Sequence, residues 1–376
     1  MADSRGPRAA GIGPFGILRE SLESAEIDQF LLQCTKGMAK GERKGEMKAR
    51  IRLVLACTTL FLIGTVWNAP GYAQTKIPRV GILVVNPAES AALQEFIEPF
   101  PRTLSEHGWV EGKNVVFEFR DAKGDPTRLN DPAAELVRLK VDVLFPVGPP
   151  SVRAAFAATQ DIPIVAHDLE TDPVAAGYAL TYSRPGRNLT GLFLDSPDLT
   201  GKWLELLKAM IPHLSRVVVL FDATSGPVPL AAVRKAAPAV GVKLQVLEIH
   251  KPEDIDKAPS AFGGRVQAVI ALPSPMMYGE NAHLAKLTKK RRLPAISMFV
   301  PFADAGGLLA YGPNMAATVE QCAVLLAKVL NGTKPGDLPI ERPTKFDFVL
   351  NLKTARDFHL AVPDTVLFRA DRVIEK

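Results

Sequence analysis

The chain has 376 residues, with 45 Lys and Arg against 40 Asp and Glu for a net charge of +5. Ten of the basic and seven of the acidic residues fall in the first 73, so the rest carries only +2 and makes no electrostatic case for nucleic acid. Of the three cysteines, only Cys322 lies beyond residue 73, which excludes an intrachain disulfide there.

Residues 1–46 show no clear periodicity and read as an upstream extension, with Met47 rather than Met1 as the working start. The run Gly11-Ile12-Gly13-Pro14-Phe15-Gly16 matches a dinucleotide fingerprint literally. It has no strand before it and carries Pro14 inside it, so the match is rejected. From Met47 the pattern changes. Lys48, Arg50 and Arg52 form a positive segment, an apolar core of about 15 residues follows, and Gly71-Tyr72-Ala73 supplies small residues for a peptidase. That core is short for a membrane span but right for a secretory leader. Residues 47–73 are therefore expected to be a signal peptide, and the mature protein to be exported to the periplasm.

Beyond residue 74, apolar strands alternate with amphipathic helices. Strands are expected at 79–85, 115–120, 141–147, 162–166, 188–194, 217–221, 243–249, 268–272, 295–299 and 307–311. Several are near-continuous Val, Ile and Leu, the pattern of parallel strands covered on both faces. The helical stretches keep a 3.6 period, as in Trp203, Leu206, Leu207, Met210 and Ile211. Pro99, Pro101 and Pro238 should interrupt theirs, since proline lacks a backbone donor. Cys322 sits on an apolar helix face and reads as a buried thiol. Lys289-Lys290-Arg291-Arg292 reads as a solvated helix end. The alternation is duplicated, from 79 to 166 and again from 217 to 299, with a loop expected at 195–198 between the halves. It predicts an α/β protein of two doubly wound, Rossmann-like lobes joined by a hinge of three crossovers. The expected partition is 74–193 plus 302–335 for the first lobe and 194–301 plus 336–376 for the second.

No catalytic constellation stands out. The chain has no G-x-S-x-G elbow and no P-loop, and its six histidines are scattered without metal-ligand spacing. No cofactor or metal is expected, and no enzymatic activity. The turns after the strands are more informative, because ligands of open α/β sheets sit at the carboxyl ends of strands. Those turns offer Asn86, Gly148 and Ser151, then Asp168 and Asp172, and in the second half Asp222, Ser274, Tyr311 and Gly312. Small polar residues at helix starts could meet a carboxylate, the aspartates an ammonium group, and Tyr311 an aromatic ring. Singly, Ser151, Asp222 and Ser274 also fit plain capping roles. His167 reads as a satisfied strand-end histidine.

Several stretches resemble the substrate-binding proteins of ABC transporters related to the tryptophan/tyrosine-type binding proteins. They include 77–83, 134–143, Asp172-Pro173-Val174, 184–192, 201–207, Tyr311-Gly312-Pro313-Asn314, Pro343-Thr344-Lys345-Phe346 and 351–355. The resemblance implies a type I periplasmic-binding-protein fold. It implies capture of a small-molecule solute, an amino acid or related carboxylate, by hinge closure. Delivery would be to an ABC permease with its ATPase subunits, the binding protein acting as a monomer. It carries a binding role onto Ser151, Asp172, Ser274, Tyr311 and Gly312. Two turns depart from the family pattern: Gly148-Pro149-Pro150-Ser151, where the prolines remove two donors, and Asp222-Ala223-Thr224. The alternative readings are a ligand-sensing module docked on a membrane receptor and an exported enzyme on the same fold.

Overall fold

The computed structural model describes residues 76–194, 196–256 and 266–376. The upstream extension, the leader expected at 47–73 and Asp195 lie outside the described residues. Residues 76–376 form one compact unit built on two sheets.

The first sheet has the order β2-β1-β3-β4-β5 and is wholly parallel. Its strands are β1 (Arg79–Val84), β2 (Val116–Asp121), β3 (Val143–Pro146), β4 (Ile164–Asp168) and β5 (Leu189–Phe193). Helices α1 (Ala91–Ile97), α2 (Pro99–Glu106), α3 (Asn130–Arg138) and α4 (Pro149–Ala158) connect them. Alternation along β1 shows how the sheet is covered. Val80, Ile82 and Val84 belong to the core that holds Phe100 and Leu104 of α2. Leu83 joins the opposite core, with Leu136 of α3 and Val152 of α4. Successive strand side chains point to opposite faces, so both faces must be apolar. The prolines act as expected: the first helical stretch breaks at Glu98, and Pro99 opens α2 at its first turn.

The second sheet has the order β12-β11-β10-β9-β8-β6-β7. Its members are β6 (Arg216–Asp222), β7 (Lys243–Ile249), β8 (Ala268–Ala271), β9 (Ala295–Ser297), β10 (Leu309–Pro313), β11 (Phe346–Asn351) and β12 (Arg372–Ile374). All pairings are parallel except β10 with β11. Its helices include α5 (Ser196–Met210), α6 (Val228–Ala236), α7 (Pro275–Gly279), α8 (Asn281–Lys290) and α9 (Val300–Asp304). The backbone from Ser196 is helical where the sequence suggested a loop. Pro238 ends the regular helix at Ala236, and the chain continues as a single 3₁₀ turn.

Helix α10 (Met315–Leu330) returns to the first sheet, packing on α1, α2 and strands β3 to β5. Its Cys322 is fully buried, and burial pushes that thiol far up. The stretch 302–335, assigned whole to the first lobe from sequence, is therefore divided. Strand β10 lies in the second sheet, and the chain crosses only at Asn314. Among the described residues it crosses three times, after β5, after β10 and before β11. The crossings are hydrogen-bonded together. Glu341 N–H donates to Gly191 O at 2.9 Å and Phe193 N–H to Glu341 O at 3.0 Å. Asn314 N–H donates to Lys345 O at 2.9 Å, and its side-chain amide to Asp347 at 2.9 Å.

Candidate ligand site between the lobes

The strand ends of both sheets face a shared cleft lined by residues of both lobes. Its first-lobe wall comes from the β1 and β3 turns, α1 and the end of β4; its second-lobe wall comes from Ser274, Pro275, Tyr278 and Phe299.

Aromatic rings dominate. Phe96 meets His167 edge-on at 5.3 Å and Tyr278 of the opposite lobe at 5.6 Å. Tyr278 in turn stands at 85° to Phe299, with centroids 5.0 Å apart. Burial and nearby Glu95 push the Tyr278 phenol up to about 12, so it stays protonated. The lobes are in contact at the rim. Asn86 Nδ2 donates to Pro275 O at 3.1 Å, and Arg153 donates to Thr224 O at 2.8 Å. At Gly148, with φ +82°, a Cβ would lie 2.7 Å from the Pro275 ring.

His167 is 4% exposed, and burial lowers its imidazole to about 4, so it is neutral. Its Nε2 is 3.0 Å from Thr318 Oγ1, and that hydroxyl donates its one proton to Met315 O at 2.6 Å. Nε2 must then carry the hydrogen and donate to Thr318. Thr318→Val keeps the shape but strands this buried donor. The variant is expected to lose about 1–3 kcal/mol in urea unfolding; an unchanged midpoint would mean His167 has another partner.

Just behind the wall lie carboxyls. Glu170 is 5% exposed and lines the cavity. Its Oε2 accepts from Leu169 N–H at 3.2 Å. Burial, with Asp168 and Asp222 close by, holds its carboxyl well above the usual range. Asp168 Oδ1 accepts from the N–H groups of Glu170 and Thr171, while Oδ2 is buried without a partner. Burial raises Asp168 to about 6. Asp222, from β6 of the other lobe, caps its own turn through Thr224.

The structure sorts the residues singled out from sequence. Asn86, Gly148 and Ser274 line the cavity. Asp168 and Asp222 sit beside it through Glu170. Ser151 is wholly buried in the first turn of α4, its hydroxyl without a partner. Three others have structural partners and lie outside the cavity lining. Asp172 Oδ1 accepts from Val174 N–H, Ala175 N–H and Tyr182 OH. The Tyr311 ring packs on Phe346 and Phe348, and its carbonyl accepts from Trp203. Gly312 is small because a Cβ would lie 2.3 Å from Met298. The sequence reading missed Phe96, Glu170, Tyr278 and Phe299. The signal for Glu170 was present in the acidic turn 168–172; the aromatic residues looked like ordinary core.

Residues 80–374 match the profile of the ABC transporter substrate binding protein family. The chain is 24% identical over 289 residues to a tyrosine-binding protein of Clostridioides difficile strain R20291, covering 75% of this chain and 81% of that one. A Streptococcus pneumonia ABC domain in complex with L-Trp superposes with a TM-score of 0.72 at 20% identity, over 79% of this chain and 99% of that one. The ligand-free, open structure of a Clostridium difficile substrate binding protein with adhesive properties gives 0.57 at 25% identity, over 80% and 100%.

Proposed function

Because the chain belongs to the ABC transporter substrate binding protein family, we propose that it captures a small, aromatic-bodied solute outside the cytoplasm for an ABC importer. The interlobe cavity carries this reading. It is aromatic, it opens where the strand ends of two lobes meet, and residues of both lobes form it. The relatives named for tyrosine and L-Trp binding agree with an aromatic guest.

Capture proceeds by hinge closure. Solute first settles on one lobe, and bending at the three bonded crossings brings Pro275 and Tyr278 over it. The rim contacts Asn86 to Pro275 and Arg153 to Thr224 then latch the lobes. Closure excludes water, so any charge pair inside counts for more than it would in solvent. The closed form is the state that docks on the permease.

Native mass spectrometry of protein purified from its own host tests the reading. A co-purifying solute of one aromatic ring system is the expected result. An aliphatic sugar in its place would overturn the aromatic assignment. If deletion of this protein left uptake of the captured solute unchanged, the importer role would fall.

A further inference from the structure

The cavity is unusual in what it lacks. A zwitterionic amino acid needs a cationic or N–H-rich pocket for its carboxylate. None of the lining residues is Lys or Arg. The one helix start at the centre of the first-lobe wall, that of α4, is disarmed: Pro149 and Pro150 occupy its first two positions and have no N–H. Gly148 N–H is spent on His167 O at 2.8 Å, and Val152 N–H returns to Gly148 O. Ser274 Oγ accepts from Met277 N–H and Asn314 Oδ1 from Ala317 N–H, so both serve as helix caps, and the donors left in the lining are neutral hydroxyl and amide groups.

Acidic side chains, by contrast, converge. Glu170 lines the cavity and is supported by Asp168 below it and Asp222 from the other lobe. Among the described residues, Asp168 Oδ2 is buried with no hydrogen-bond partner. The cation that acts on Asp168 is Arg153, which is exposed and bonded to Thr224. The walls repeat the preference, because the faces of Phe96, Tyr278 and Phe299 attract positive charge.

We propose that the solute is a cationic amine on an aromatic or apolar body, without a carboxylate, its ammonium group paired with Glu170. This rests on the solute-capture reading above and names the head group for it. Asp168 and Asp222 act as positioning residues that keep negative potential at Glu170. A carboxylate on the solute would face Glu170, with only neutral donors such as the Ser274 and Tyr278 hydroxyls and no Lys or Arg to pair with, so the decarboxylated form of an aromatic amino acid suits the cavity better than the amino acid. The raised Glu170 carboxyl adds a consequence: pairing with an ammonium requires it to ionise, so amine binding should expel a proton.

Calorimetry at pH 7.5 with three matched probes separates the head groups: tyramine, tyrosine and 4-hydroxyphenylacetate, with the tryptamine, tryptophan and indole-3-acetate set beside them. The amine is expected to bind at least 10-fold tighter than its amino acid, with the acetate weakest. Its heat should differ between buffers of different ionisation enthalpy, reporting the released proton. Glu170→Gln should weaken the amine at least 10-fold without lowering the melting temperature of the free protein. If tyrosine or tryptophan binds more tightly than its amine, the head-group assignment is overturned while aromatic solute capture stands. If no member of either set binds to folded protein, both fall. An unchanged amine affinity in the Gln variant would also overturn the role given to Glu170.

Discussion

Gly148→Ala is expected to weaken solute binding about 30-fold, and a second substitution across the seam should restore it. Gly148 has φ +82° and ψ 156°, a conformation that side chains other than glycine rarely adopt. Its missing Cβ also leaves room for Pro275 of the opposite lobe. An added methyl would lie 2.7 Å from Pro275 Cγ and 3.6 Å from Cδ, against an ordinary carbon contact of about 3.5–4.0 Å. A proline ring cannot swing aside, so the lobes must part by about 1 Å. Parting breaks the Asn86 to Pro275 hydrogen bond and the Phe96 to Tyr278 edge contact. Each is worth about 0.5–1.5 kcal/mol, or about 2 kcal/mol together, which is roughly 30-fold in affinity.

The same substitution carries a second cost, about 1–3 kcal/mol of backbone strain that lowers folding stability whether or not the lobes close. A double-mutant cycle separates the two. Pro275→Ala trims the ring carbons that the methyl would strike. In Gly148→Ala/Pro275→Ala, most of the lost affinity should return while the melting temperature stays low. If affinity falls with stability and is not rescued, the glycine serves only its own turn, and the seam is not a closing surface.

Much of this arrangement can be read without coordinates. Past Arg79, the runs at 79–85 and 217–221 are apolar because helices cover both faces, and that density identifies parallel sheets. Asn86, Gly148 and Ser274 follow strand ends, where the sheet topology directs ligands. What could not be read is which side of the seam a residue serves. Tyr311 and Phe299 are both aromatic residues near the end of an apolar run. One packs on Phe346 and Phe348 of its own lobe, the other faces the cavity. Sequence periodicity reports burial, and both are shielded from water. The crossing at Asn314 was misplaced for a similar reason. Strand β10 and helix α10 are consecutive and equally apolar, and only pairing with β9 and β11 assigns the strand to the second sheet.

The free protein should close at mildly acid pH and open as the pH rises through neutrality. Glu170 and Asp168 come from the first lobe, and Asp222 faces them from the second. Asp168 and Glu170 are buried in this structure, and burial raises Asp168 to about 6 and Glu170 well above its ordinary value. A carboxyl raised in the closed state holds its proton there. Its contribution to closure is complete below its ordinary value and is lost as pH climbs through the raised one. For Asp168 that window runs from 3.8 to about 6, a span worth roughly 3 kcal/mol, or about 100-fold in the ratio of closed to open forms. Glu170 extends the loss upward. The neighbouring groups do not cancel it. Arg153 is exposed, the Tyr178 and Tyr278 phenols are held protonated, and His167 is neutral down to about 4. Acidification below 6.5 does cost stability at His167, whose imidazole is lowered, but its partner Thr318 packs on the same lobe, so that cost falls on folding. Small-angle scattering of ligand-free protein should give a larger radius of gyration at pH 8 than at pH 5. Asp168→Asn with Glu170→Gln, which keeps the hydrogen-bond acceptors and removes the charges, should stay compact at both. A saturating amine should close the unmodified protein at pH 8, because the ammonium replaces the missing protons. Identical scattering at pH 5 and pH 8 would show that the three carboxyls do not act across the seam, and would remove the electrostatic reason for an amine guest.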